Sequence, residues 1–213
     1  SRGLGDVYKR QIGIYASGHP LQDQEGKWRR VITNMTLDFA QPEEGEEPKV
    51  EDKSRVTVGG IVSAVTRKFT KNGAQMAFIT LEDLVGTIEV IVFPRQYDSS
   101  RHLIVEGKKL FIDGEANIEE NAAGKVIANK IREFSDVPSE LWIAFQDKED
   151  YLKNNQELLE RLSANKGNDK VMIVLAKERQ RKMMPAQYAV NITKEFLQQL
   201  KDRYGEEFVK VRD

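Results

Sequence analysis

Within residues 67–78 the chain places Arg67, Lys68, Phe69 and Lys71 just ahead of Met76 and Phe78. Cations at this density neutralise phosphates, and an aromatic ring stacks on any base because every base has a π-face. Together these are the groups needed to hold an unpaired nucleic-acid strand. Each half alone has a plainer reading: an outward Phe on a strand is usually a satellite of the core, and a basic run is usually a solvated turn. Their coincidence favours binding. Nothing comparable is assembled for bond-making chemistry. Cysteine is absent, which removes disulfides, thiolate metal sites and cysteine nucleophiles at once. His19 sits in a Gly-His-Pro turn without a nearby partner, so it reads as structural rather than as a base or ligand. The carboxylates are scattered over strands, turns and a linker, whereas phosphoryl transfer needs metal-holding acids gathered in one pocket. We therefore expect no catalytic residue, no metal site and no cofactor here.

Phe78 must be positioned by a hairpin. Residues 75–93, QMAFITLEDLVGTIEVIVF, read as two alternating runs about a turn at residues 83–86. Successive strand side chains point to opposite faces, so Ala77, Ile79 and Leu81 share a buried side with Ile88, Val90 and Val92. Met76, Phe78 and Thr80 then share the outward side with Thr87, Glu89 and Ile91. Slipping the register by one residue would put both apolar rows in water, which fixes the pairing. Before the hairpin, residues 55–66 (RVTVGGIVSAVT) form a β-branched strand in which Gly59-Gly60 marks a bulge or sharp coil. Residues 67–73 form a basic loop turned by Asn72-Gly73. After the hairpin, residues 94–103 leave room for one short helix, and residues 109–118 and 125–134 are two more strands. Five strands with a helix between the third and fourth is the order of a five-stranded OB barrel, whose first strand must coil for closure. Such barrels bind single strands with the loop after strand one and the face of strands two and three.

The 213 residues suffice for one or two domains with real cores. Lys plus Arg is 33 against 34 for Asp plus Glu, a formal net charge of −1, so any nucleic-acid role rests on local clustering. Residues 56–81 contain no acid at all. Residues 1–11 read as a translated sequencing-adapter scar outside the fold. Residues 12–54 read as the end of an upstream region followed by an acidic linker (QPEEGEEPKVEDK), and the barrel as residues 55–135. No apolar run approaches the roughly 20 residues needed to cross a bilayer, so we expect a cytoplasmic chain with no membrane partner.

Beyond Pro138 the periodicity changes. Residues 141–145 form a short buried strand, and Tyr151, Leu152, Asn155, Leu158, Leu159 and Leu162 recur at helical spacing. Residues 170–176 are an apolar strand, residues 177–182 a basic turn, and residues 183–192 a returning strand despite Pro185. Thr193 caps a second helix that stops at Gly205, and residues 208–211 are a last strand. The fold class is thus a β barrel plus α+β: a five-stranded OB fold followed, over residues 139–213, by a small β-α-β-β-α-β domain with both helices on one sheet face. A helix face or the Met183-Met184 region is expected to dock a protein partner, methionine being adaptable at such surfaces.

FITLEDLVGTIEV resembles the F-x-x-L-x-D-x-x-G-x-(I/V)-(Q/E)-V hairpin of nucleic-acid-binding OB folds, including the anticodon-binding domains of class II aminoacyl-tRNA synthetases. Phe78, Leu81, Asp83, Gly86, Ile88, Glu89 and Val90 carry the match. The resemblance implies that Phe78 and Glu89 face nucleic acid. A longer stretch resembles the C-terminal region of bacterial DNA polymerase III alpha subunits, through Ser17-Gly18-His19-Pro20, Thr70-Lys71, Gly73, Met76, Leu81-Glu82-Asp83, Gly86, Glu89-Val90 and Phe93. That likeness implies an OB domain on the single-stranded DNA template and a terminal domain that docks the clamp-loader tau subunit. The family is a DNA-directed DNA polymerase, a nucleotidyltransferase of DNA replication, but its catalytic domain has no counterpart in these residues, so the chain alone is expected not to polymerise DNA. Two other readings compete: a tRNA-binding appendage of a synthetase, and a protein-docking scaffold that touches no nucleic acid. The scaffold gains if Arg67, Lys68 and Lys71 are each paired with acids such as Glu82 or Glu89.

Overall fold

A computed structural model describes residues 18–212. The adapter-scar reading of residues 1–11 lies outside them. The chain parts into two compact units between Phe134 and Ser135.

The first unit holds helix α1 (Glu25–Val31), a 3-10 turn (Thr36–Phe39), and strands β1 (Arg55–Phe69), β2 (Gln75–Glu82) and β3 (Thr87–Val92). Helix α2 (Pro94–Ser100) and strands β4 (Lys109–Asn117) and β5 (Lys125–Glu133) complete it. The strands close into a barrel in the order β1-β2-β3-β5-β4, as the alternating pattern and the helix between strands three and four require. β1 makes closure possible because it serves two neighbours. It pairs with β4 from Arg55 to Ile61 and with β2 from Ile61 to Phe69. The predicted inward rows are buried: Ala77, Ile79 and Leu81 of β2 and Ile88, Val90 and Val92 of β3 join Val58, Val62, Leu110, Ile112 and Val126 in one core. Burying each large aliphatic side chain contributes about 1.5–3 kcal/mol. Trp28 of α1 is fully buried and its Nε1 donates to the Gly59 carbonyl at 2.8 Å.

Three details differ from the expectation. Strand one does not end at Thr66, because Gln75–Phe78 supply ladder partners for Thr66–Phe69. Arg67, Lys68 and Phe69 are therefore strand residues, and the turn is confined to residues 70–74, where Gly73 takes φ +80° and its N–H donates to the Thr70 carbonyl at 2.9 Å. The bulge falls between Val62 and Ala64 rather than at the glycine pair. Gly60 instead allows close approach: a Cβ there would collide with the Glu82 carbonyl. Within the acidic stretch, residues 43–49 are exposed, but Val50 is buried in the barrel core.

The second unit runs β6 (Glu140–Phe145), α3 (Lys148–Ser163), β7 (Lys166–Leu175), β8 (Gln180–Met183), α4 (Lys194–Tyr204), β9 (Val209–Arg212), with sheet order β8-β7-β6-β9. β6 and β7 are parallel, and α3 provides the crossover that such a pair needs. Leu158 and Leu162 of α3 and Phe196 and Leu200 of α4 share a core with Leu141, Ile143 and Phe145, alternate residues of β6. Both helices thus cover one sheet face. Asp147 and Thr193 cap them, accepting from the Asp150 and Phe196 N–H groups at 2.8 and 3.1 Å. The strand expected at residues 183–192 is displaced: β8 is Gln180–Met183, three of its four residues falling in the expected basic turn at 177–182. Pro185 has no N–H to continue a ladder, and a 3-10 turn at Ala186–Tyr188 follows it.

Candidate nucleic-acid interface

The outer face of the barrel is organised in cross-strand rows. Thr66, Phe78, Ile91 and Ile127 lie side by side on β1, β2, β3 and β5. In the adjoining row Lys68 faces Met76, and Lys68 Nζ lies 5.2 Å from the centroid of the Phe78 ring. Phe78 is half-buried and Lys68 exposed, so ring and ammonium are both presented on one open surface. Ile91 points outward, as its position in the pleat dictates, yet keeps only 9% of its surface because it is flanked by Phe78 and Ile127. The result is an apolar floor with a cation at its edge.

Two clefts border this floor. One, about 320 Å³, is lined by Thr80, Glu89 and Lys125 together with Thr36, Phe39 and Gly86. Lys125 Nζ stands 3.5 Å from Glu89 Oε2, so the carboxylate is offset by a cation of the neighbouring strand. The other, about 490 Å³, is lined by Phe93, Arg95, Gln96, Ile127 and Asn129. Phe93 is 46% exposed and continues the outward alternation of Glu89 and Ile91. Phe93, Arg95 and Lys125 did not figure among the binding residues expected from sequence. The signal for Phe93 was present in its spacing from Ile91, whereas Lys125 enters only because β5 closes against β3.

Not all the expected residues gather here. Arg67 alternates with Thr66 and Lys68 and so faces the other way: its Nε donates to Tyr97 Oη at 3.2 Å and its Nη2 to the Ile104 carbonyl at 2.8 Å. It ties α2 and the segment after it to the barrel. Phe69 ends β1 with 73% of its surface exposed, and Lys71 is exposed in the turn. None of Arg67, Lys68 and Lys71 is ion-paired to a carboxylate among the described residues. Asp83, the acid of the hairpin motif, is not available to a ligand. It is buried and accepts from Thr36 N (2.8 Å), Thr36 Oγ1 (2.7 Å), Val85 N (2.9 Å) and Gly86 N (3.0 Å). Burial pushes its carboxyl above the usual aspartate range against the pull of those donors. His19 accepts from the Leu21 N–H through Nδ1 at 3.1 Å, a turn-holding role.

Residues 56–134 match the family described as an OB-fold nucleic acid binding domain, tRNA anti-codon type. The barrel is an OB fold. DNA polymerase III subunit alpha of Bacillus subtilis is 25% identical over 209 residues, 96% of this chain and 18% of that protein. The Mycobacterium leprae subunit is 31% identical over 131 residues, 61% of this chain and 10% of its own length. The OB barrel is thus homologous to a region of these subunits, and the chain spans less than a fifth of their length. Among solved structures, the mitochondrial single-stranded DNA binding protein of S. cerevisiae is 13% identical with a TM-score of 0.32, covering 38% of this chain and 96% of that one. Asparaginyl-tRNA synthetase from Pyrococcus horikoshii is 17% identical with a TM-score of 0.30, covering 38% and 19%.

Proposed function

We propose that the OB barrel holds single-stranded DNA, the template strand of a replicative polymerase, across Phe78, Met76 and Lys68. The observation that carries this reading is the half-open Phe78 ring with the Lys68 ammonium 5.2 Å from its centroid, neither covered nor neutralised by the protein's own acids. A base stacks on Phe78, Lys68 takes the adjacent phosphate, and Lys71 extends the track at the turn. Glu89 meets base-edge N–H groups with its charge offset by Lys125. Phe93 and Arg95 extend the track at the far cleft. In this reading the chain belongs to the C-terminal region of a cytoplasmic DNA polymerase III alpha subunit and does not polymerise by itself. Its terminal unit docks the clamp-loader tau subunit; a pull-down comparing the chain with a version truncated after Pro138 tests this, and equal retention of both refutes it.

The lack of acid partners on Arg67, Lys68 and Lys71 speaks against a pure protein scaffold. The family match also suits tRNA, so the deciding experiment is a competition for the barrel. A labelled single-stranded DNA should resist displacement by folded tRNA and be released by Phe78→Ala. Preference for tRNA would overturn the DNA assignment.

A further inference from the structure

The terminal unit carries a second surface with the same ingredients. Its helices cover one face of the β8-β7-β6-β9 sheet; the opposite face carries Trp142 and Ala144 of β6, Met172 and Val174 of β7, and Met183 of β8. Trp142, Met172 and Met183 form one cross-strand row that ends at Lys210 of β9. The indole has a guanidinium from each edge of the sheet: Arg212 Cζ is 4.0 Å from the ring centroid and Arg181 Cζ 5.7 Å. Neither guanidinium makes a hydrogen bond or ion pair with the protein among the described residues. Lys170 and Lys210 add to their charge, and Glu140 is the opposing acid on this face. The indole Nε1–H is buried without an acceptor.

We propose that this open sheet face is a second platform for single-stranded nucleic acid, independent of the barrel. Four cations, Lys170, Arg181, Lys210 and Arg212, outnumber the one carboxylate, Glu140, on this face, and neither guanidinium beside the ring is ion-paired to it among the described residues, so the net positive field favours an outside anion. A guanidinium offers a planar fork that matches phosphate oxygens bidentately. Once either Arg swings to a phosphate, the Trp142 ring is uncovered for stacking, and Met172 and Met183 supply an adaptable floor beside it. The combination of cation, outward aromatic and neighbouring methionine repeats that of Lys68, Phe78 and Met76 on a different sheet. An acidic protein segment would satisfy the charge but leave the ring without a planar partner, so we assign the face to nucleic acid.

The test uses the full chain and a short dT oligonucleotide at low salt, read by tryptophan emission. Trp28 is fully buried and bonded to Gly59, so a change on titration reports Trp142. The oligonucleotide is expected to quench the emission, in the Phe78→Ala variant as in the parent. The Arg181→Gln/Arg212→Gln double variant, both changes being on exposed side chains, should lose the quench and lower the slope of log affinity on log salt by about 1.4. The proposal is overturned by unchanged emission, by a quench that disappears with Phe78→Ala, or by one undiminished in the double variant. An equal quench by polyglutamate also overturns it, in favour of an acidic protein ligand.

Discussion

Phe78 and Arg67 are eleven residues apart in sequence and sit on opposite sides of the same pair of strands, so they separate binding from stability. Removing the Phe78 ring takes away the proposed stacking platform but no member of the barrel core cluster. Phe78→Ala should weaken oligonucleotide binding by roughly 1–3 kcal/mol and leave the melting temperature near that of the parent. Lys68→Met should lower the salt slope by about 0.7, the signature of one lost phosphate contact on a single strand. Arg67→Met should do the reverse. It removes two hydrogen bonds to Tyr97 and Ile104 and should cost about 1–3 kcal/mol of stability in denaturant titration, with binding little changed. The outward direction of Phe78 was legible because alternation around Ala77 and Ile79 admits one register. The direction of Arg67 was not. Reading residues 67–73 as a loop concealed that the ladder continues to Phe69, and in a strand neighbouring cations must diverge.

At the scale of elements, the hairpin is held by its turn as much as by its ladder. Asp83 satisfies the backbone N–H groups of Thr36, Val85 and Gly86 together with the Thr36 hydroxyl, joining the 3-10 turn to the β2–β3 connection. Burial raises its folded-state pKa, so the native state holds this proton more readily than the unfolded chain. The stability it contributes is complete below the ordinary aspartate pKa and declines as pH rises through the folded value. Asp83→Asn cannot ionise, so its stability deficit relative to the parent should shrink as pH rises across that window, as read by parallel thermal melts. Gly60→Ala should destabilise by about 1–3 kcal/mol, since its Cβ would press on the Glu82 backbone where β1 passes from one neighbour to the other. The glycine pair announced a tight place in the sequence; its partner strand could not be read from a single chain. The β8 boundary was missed for a related reason. Its residues, Gln-Arg-Lys-Met, are polar because an edge strand exposes both faces, and polarity there mimics a turn.

At the scale of the whole molecule, the two units have separate cores with no residue in common. Truncation after Pro138 should therefore leave the Phe78-dependent part of oligonucleotide binding intact. A net charge of −1 conceals this division of labour. Four glutamates stand in the exposed stretch at residues 43–47, while Lys68 beside Phe78 and Arg181 and Arg212 beside Trp142 have no acid partner among the described residues. Composition alone pointed to no nucleic-acid partner; placement does. The most direct test of that placement is fluorescence anisotropy of a labelled single-stranded DNA titrated, across a salt series, with the barrel unit truncated after Pro138 and with its Phe78→Ala variant. The account predicts affinity that falls linearly with log salt, and a loss of about tenfold to a hundredfold in the variant at each salt concentration. No binding at low salt, or equal affinity for the two proteins, would contradict it.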